Sequence, residues 1–292
     1  MTAPQKRQFI VLAKERGISE RQACRLASLS RTVARYRARP KRHAQDNETL
    51  VERLKEIARK KRRRGYRLAY QQLRQEGWPV NHKRVHRLWK ATGLSVPARK
   101  SRKRLRRVAT ARAVEARHPN SVWCLDFAQD RTLQGTKVRI LCVTDEFTRE
   151  SLALEVGHSF RAERVCQVLE ALFVARAKPT ALRMDNGPEF VALALKGLCY
   201  RHGIDGAYIE PGKPWQNGFA ESFVSRLRDE FLEGEVLRSV VDAQVRLGMW
   251  RRYYNKERLH SRLGYQTPQQ FAAGWLEADR KQGETKEFVG TT

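Results

Sequence analysis

The 292-residue chain has no stretch approaching the roughly 18–20 consecutive apolar residues that a membrane-spanning helix needs. Its opening, MTAPQKRQFI, lacks the apolar run of a secretory signal. No membrane partner and a cytoplasmic, nucleoid-associated location are therefore expected. Cysteine is scarce. The five residues Cys24, Cys124, Cys142, Cys166 and Cys199 are odd in number and form no CxxC pair. That excludes a disulfide framework and a cysteine zinc site, leaving reduced, mostly buried thiols. There is no internal repeat. Acidic residues are rare in one part of the chain. Residues 1–118 hold 8 Asp and Glu against 35 Lys and Arg, whereas residues 119–292 hold 23 against 24. Nearly all of the formal +28 charge thus lies in the first two fifths. A polyanion is the natural partner, because phosphate contacts release counterions and dominate affinity. An anionic membrane is not, since no basic amphipathic helix carries a lipid-seeking aromatic face.

What is present divides into five stretches. Residues 1–46 read as a helix-turn-helix-like segment. Ser19 caps one helix, and Ser30 caps a basic one, RTVARYRAR. A polar break spans Pro40 to Asn47. Residues 47–96 form a second helical, helix-turn-helix unit. Its first helix carries Leu50, Leu54 and Ile57 and ends in KKRRRG. Its second, Tyr66 to Glu76, spaces Leu68 and Leu73 around Tyr70. Its third follows the cap Asn81, turns Val85, Leu88 and Trp89 inward, and closes at Gly93. His82 and His86, one turn apart, have no acid nearby and are read as facing solvent or phosphate. Residues 97–118 are a basic linker, too charged to bury. From 119 to 275 short strands alternate with helices: strands at 122–127, 138–143, 152–156, 181–184 and 204–209, helices at 159–177, 188–202, 217–233 and 240–254. This pattern predicts a mixed five-stranded α/β sheet with helices on both faces. Thr267, Pro268 and Gln270 have the spacing of a capping box, and residues 276–292 are expected to be a flexible, frayed tail.

Three carboxylates stand out. Asp126 lies within the apolar strand WCLDF, where a charge is costly unless it has a use. Asp185 ends the fourth strand, in RMDNGPEF, and functional groups of α/β sheets gather at strand ends. On the helix GFAESFVSRLRDEF, Phe219, Phe223, Leu227 and Phe231 form an apolar stripe. Glu221 and Arg228 are aligned on the opposite face, about 10 Å apart along the axis, with Val224 and Ser225 on their side. Taken singly, each acid reads as a turn cap or a solvated surface group. Together they match what a hard divalent cation requires, oxygen donors gathered at one spot.

The spacing of 35 residues between Asp185 and Glu221, the surrounding DNGPEF and PGKPWQNGFAESF, and the closing YYNKERLHSRLGYQTPQQF carry a resemblance. The chain resembles the OrfB-type transposases of the bacterial insertion-sequence family named for insertion sequence three, relatives of retroviral integrases, over nearly its whole length. The resemblance implies a ribonuclease-H-like core and a metal-binding DDE triad of Asp126, Asp185 and Glu221. It also implies two Mg²⁺ ions, with Mn²⁺ able to substitute, and transfer of DNA strands by water and then by a 3′-hydroxyl. Arg228 is implied to contact the element's end, with Asn186, Gln216 and Asn217 lining the DNA path. Lys213 in the same loop is a further candidate DNA contact. From the basic helices, Arg35, Arg37, Arg62, Arg63, Arg64, Lys83, Arg84, Arg87 and Lys90 are the candidate contacts. The implied partners are double-stranded DNA (terminal inverted repeats and target), further copies of the chain in a dimer or larger assembly, and an accessory protein from an upstream frame. A non-catalytic DNA-binding regulator and a structure-specific or hybrid nuclease on the same fold are the alternatives.

Overall fold

The computed structural model describes residues 2–35, 44–60, 63, 65–95, 114–210 and 214–289. The expectations for Arg37, Arg62, Arg64, Lys213 and most of the basic linker fall outside the described residues. The chain forms two compact units, Met1–Arg53 and Leu54–Thr292. The division falls inside a helix, not at the expected boundary near residue 46.

In the first unit, α1 (Ala3–Glu15) precedes α2 (Glu20–Leu26) and α3 (Arg31–Arg35). The expected caps form: Ser19 accepts from the Gln22 N–H and Ser30 from the Val33 N–H, both at 3.3 Å. Ile10, Ala13, Ala23, Cys24 and Ala27 make a small core. α4 (Ala44–Lys60) spans the division and starts inside the expected polar break. Ala44 and Gln45 are good helix formers, and polarity without Pro or Gly does not stop a helix.

In the second unit, α5 (Tyr66–Gln75) and α6 (His82–Ala91) follow α4. Leu54, Ile57, Ala69, Leu73, Val85 and Trp89 are buried. Leu88, expected to face inward, is only half-buried, as is Leu68, and Ala69 is buried on α5. The Asn81 side chain accepts from the Lys83 N–H at 2.8 Å. Gly93, at φ +68°, closes α6 with the Leu94 N–H on the Trp89 carbonyl. His86 and His82 pack on the Tyr66 and Tyr70 rings, at centroid distances of 4.3 and 6.1 Å.

The sheet carries the rest. β1 (Val122–Arg131), β2 (Lys137–Asp145) and β3 (Ser151–Gly157) form the expected antiparallel meander. β4 (Ala181–Met184) and β5 (Asp205–Tyr208) add in parallel, giving the order β3-β2-β1-β4-β5. β1 runs past its apolar stretch because the hairpin stays paired to Arg131, opposite Lys137. One face packs on α7 (Ala162–Ala175) and on α8 (Pro188–Val191) and α9 (Leu193–His202). The expected single helix over 188–202 is thus two. Ala192 is extended (φ −60°, ψ 146°), and Phe190, Leu195 and Leu198 all reach the core.

The other face packs on α10 (Gly218–Glu230) and α11 (Val240–Lys256). α11 also covers the β3 edge with side chains. The Gln244 amide joins the Val156 N–H (3.0 Å) and the Leu154 carbonyl (3.1 Å). The Asn255 amide joins the N–H and C=O of Ser151, each at 2.9 Å, and Arg251 donates to the Leu152 carbonyl. Edge groups that would otherwise be unpaired are satisfied in this way.

The closing segment locks the end of α10, with Arg258 bidentate on Glu230. The Thr267–Gln270 capping box forms, and α12 (Pro268–Val289) runs through the expected frayed tail. The tail is rich in helix formers such as Glu, Lys and Gln, which hold a helix without an apolar stripe. Among the described residues no helix is long and apolar enough to cross a membrane.

Candidate active site

Leu125 and Phe127 belong to the core under α7 and α9, and Ala128 to the core under α10 and α11. Strand alternation therefore sends Asp126 toward α10. The parallel β1–β4 register sets Val122, Trp123 and Cys124 against Ala181, Leu182 and Arg183. Two residues further on, the same register brings Asp126 opposite Asp185.

Asp126 is half-buried and its Oδ1 accepts from the Phe127 N–H at 2.7 Å. Burial pushes its carboxyl up to about 6, and the negative charges of Asp185 and Glu221 push the same way; the Phe127 N–H and the Arg228 guanidinium oppose them. Burial and the Asp126 carboxylate also lift the Cys142 thiol, across the β1–β2 ladder, far above its ordinary range. Asp185 is exposed, and its Oδ1 accepts from the Gly187 N–H at 3.0 Å. A Cβ on Gly187 would stand 3.0 Å from that oxygen, so glycine keeps the turn open.

Glu221 lies in the first turn of α10 and Arg228 in its last, both exposed. The apolar stripe of α10 is rotated from the expected one. Ala220, Phe223, Val224 and Leu227 are the buried set, so Val224 belongs to the core and not to the face of Glu221. Phe219 sits at the margin under the Arg149 guanidinium, 3.6 Å from the ring centroid. That contact frees it from the core and shifts the stripe.

The three acids thus come from a strand, a strand end and a helix, and two of them, Asp185 and Glu221, act on the carboxyl of the third. As oxygen donors with excess negative charge they fit a hard divalent cation. They are not drawn into a closed shell: among the described residues, no group of three or more His, Cys, Asp or Glu is arranged to hold a metal ion.

Several expected DNA contacts have other bonds. The Asn186 amide donates to the Ile209 carbonyl at 2.8 Å, tying the end of β4 to the end of β5. Gln216 closes a ring with Glu210, accepting from its N–H at 3.0 Å and donating to its carboxylate at 2.9 Å. Asn217 is 4% exposed, folded inward by the 3-10 turn Pro214–Asn217, so its side chain does not line an open path. Arg35 is bidentate on Glu20, and Arg63 pairs with Glu233. On α6, Lys83, Arg87 and Lys90 are exposed, whereas Arg84 is half-buried.

Two residues beside the acids escaped the sequence reading. Arg139 on β2 pairs with Glu189, the first-turn acid of α8, and lies over the Phe127 ring at 4.1 Å. Burial raises the Glu189 carboxyl, but the Arg139 hydrogen bond, the group's own backbone N–H and the Arg139 charge together outweigh it and hold the group below its ordinary range. The signal was present: Arg139 interrupts an apolar strand, between Val138 and Ile140, as Asp126 does.

Residues 116–214 and 202–268 match models of the integrase core domain, and residues 45–103 match a model of an HTH-like domain. A 31.7 kDa protein of insertion element IS407 from Burkholderia multivorans is 39% identical over 88% of this chain and 91% of its own length. The transposase InsD of insertion element IS2 from Escherichia coli is 26% identical over 83% of this chain and 84% of its own. The chain belongs to the OrfB-type transposases of bacterial insertion sequences. This transposase has the ribonuclease-H-like core of the integrases, preceded by an HTH-like helical region, and is a DDE-type polynucleotidyl transferase. Among solved structures, the catalytic core of BIV integrase is similar at a TM-score of 0.43 and 22% identity, covering 56% of the transposase and 98% of that chain.

Proposed function

We propose that Asp126, Asp185 and Glu221 are the carboxylates with which this transposase cleaves and joins the DNA ends of its insertion sequence. The observation that carries this reading is the convergence on Asp126. The acid that follows β4 and the acid on α10 both raise its carboxyl, and the positive charge of Arg228 opposes them. The three would hold two divalent ions, Mg²⁺ or Mn²⁺, which when bound activate the attacking oxygen and stabilise the leaving one. The chain's own part is positional. β1 and β4 fix Asp126 and Asp185 side by side. α10 brings Glu221 across, and Arg228, two turns on, faces the phosphates of the element's end.

The HTH-like helices supply the grip, with Lys83, Arg87 and Lys90 on α6 meeting phosphate. Residues 45–95 act as the DNA-binding domain and residues 119–275 as the catalytic one. Because two terminal inverted repeats must be held together with a target duplex, the working form is a dimer or larger assembly. An upstream-frame protein serves as an accessory to it.

The test is Asp126→Asn assayed on element-end DNA in Mg²⁺. Cleavage and strand joining are expected to disappear while end binding persists and weakens steeply with added salt. Cleavage by the variant at the wild-type rate would overturn the assignment.

A further inference from the structure

Arg139 and Glu189 meet on a platform that links the two aspartate-bearing strands. Arg139 reaches from β2 over the Phe127 ring, 4.1 Å from its centroid, and donates to Glu189 Oε1 on α8. Phe127 in turn stacks on Phe190, the residue after Glu189, with centroids 5.2 Å apart and planes 20° apart. Both ends of this platform lie next to the acids. The Phe127 N–H holds Asp126 Oδ1. At the other end, the bare Cα of Gly187 has Asp185 and Glu189 on either side. A Cβ there would lie 3.0 Å from Asp185 Oδ1 and 3.3 Å from Glu189 Oε2. Glu189 thus has one oxygen on Arg139 and the other toward the turn that carries Asp185.

The ion pair is poorly explained as a source of stability. Its side chains are 27% and 12% exposed, and the Arg139 Nε is buried with no partner among the described residues. Part-buried pairs with an unsatisfied donor gain little, because desolvation offsets attraction. A role at the acids explains it better. Glu189 alone would add a negative charge beside Asp185, and Arg139 cancels it. The pair also pins α8, and hence the Asp185 turn, against the residue that follows Asp126.

We propose that Arg139 and Glu189 are positioning residues for the Asp126–Asp185 pair: together they fix the turn carrying Asp185 to the strand carrying Asp126 and keep the extra carboxylate neutralised. The inference rests on the triad reading above.

It is tested with the full chain carrying Arg139→Met, Arg139→Lys, Glu189→Gln, or Arg139→Met with Glu189→Gln. Two quantities are read: the single-turnover cleavage rate at saturating end DNA, well below each variant's melting midpoint, and the Mn²⁺ concentration giving half the maximal thermal shift without DNA. Arg139→Met is expected to slow cleavage and raise the half-saturating Mn²⁺ by about 10- to 100-fold, the usual range for groups that orient metal ligands, with end affinity unchanged. Arg139→Lys, which keeps the charge and a donor to Glu189, should recover to within about fivefold of wild type in both quantities. The double variant, which loses the pin without leaving a stranded charge, should stay impaired like Arg139→Met. If Arg139→Met does not fold, Glu189→Gln, which breaks the same pin, takes its place beside the double variant. Wild-type metal response in the single variants, or a double variant restored to wild type, overturns the proposal. Asp126→Asn is run alongside. If it still cleaves, the triad reading has failed. If it is inactive while Arg139→Met is normal, only the positioning role has failed.

Discussion

Cys124 on β1 stands opposite Arg183 on β4, and that pairing places Asp126 and Asp185 side by side two residues later. The adjacency has a cost. Two neighbouring carboxylates, with Glu221 near, are held where the central strands of an apolar sheet end, and folding favours the protonated form of Asp126 relative to the unfolded chain.

The sign of that preference can be measured. The Asp126 carboxyl rises from an ordinary 3.8 to about 6, so its folded-state contribution is fully present below 3.8 and is lost as pH climbs through 6. Asp126→Asn, which mimics the neutral acid, should therefore stabilise the metal-free protein above pH 6, by on the order of 2 kcal/mol. The gain should shrink toward zero as pH falls to 3.8. Thermal or urea unfolding in chelator checks it. Added Mg²⁺ should raise the wild-type midpoint and leave the variant's unmoved.

Gly187→Ala should separate folding from chemistry. Gly187 has an ordinary φ of −58°, so alanine is unstrained in its backbone. Its methyl group would press on Asp185 Oδ1 from 3.0 Å. Displacing one carboxylate by a fraction of an ångström should slow cleavage by about tenfold or more. The melting midpoint and end binding should stay near wild type; an unchanged cleavage rate would show that the turn has room to yield.

His260 gives a second pH response, of opposite sign. Burial, then the cations Arg258, Arg226 and Arg149, hold its imidazole down to about 2, from an ordinary 6.5. Its stabilisation is complete above 6.5 and is lost as pH falls below that, by about 1.4 kcal/mol per pH unit. His260→Phe keeps a ring against Tyr254, 4.8 Å away, and removes the titration. In an Asp126→Asn background, this substitution should flatten unfolding free energy between pH 5 and 6.5, whatever its effect at neutral pH.

Asn255→Ala should cost about 1–3 kcal/mol, because the N–H and C=O of Ser151 both lose their partner. Gln244→Ala should cost a similar amount through Val156 and Leu154. Denaturant unfolding of the two single variants and the double measures it. A cost near zero would mean that water replaces both amides at no loss.

Much of this was legible in the sequence. The bounds of β4 were read as they stand, since four apolar-rich residues between a Pro-Thr turn and Asp-Asn-Gly leave little choice. The caps at Ser19, Asn81 and Thr267 were read from local chemistry alone. What failed depended on contacts distant in sequence. Val224 falls on the active face by periodicity because helical spacing gives angles but not the position of the neighbouring sheet, and Phe219, under Arg149, lies at the margin of the buried face. Asn186, in the turn after β4, is held by the Ile209 carbonyl, a contact 23 residues away that spacing does not show. Arg139 went unread because one cation in a strand has meaning only once Glu189 is beside it.

The side-chain seam from α11 along β3 has a consequence for assembly. With Ser151, Leu152, Leu154 and Val156 already bonded to Asn255, Arg251 and Gln244, that border of the sheet has little left to offer an incoming strand. The order β3-β2-β1-β4-β5 leaves β5 as the sheet's other border, so any strand added to this sheet is directed to the β5 side.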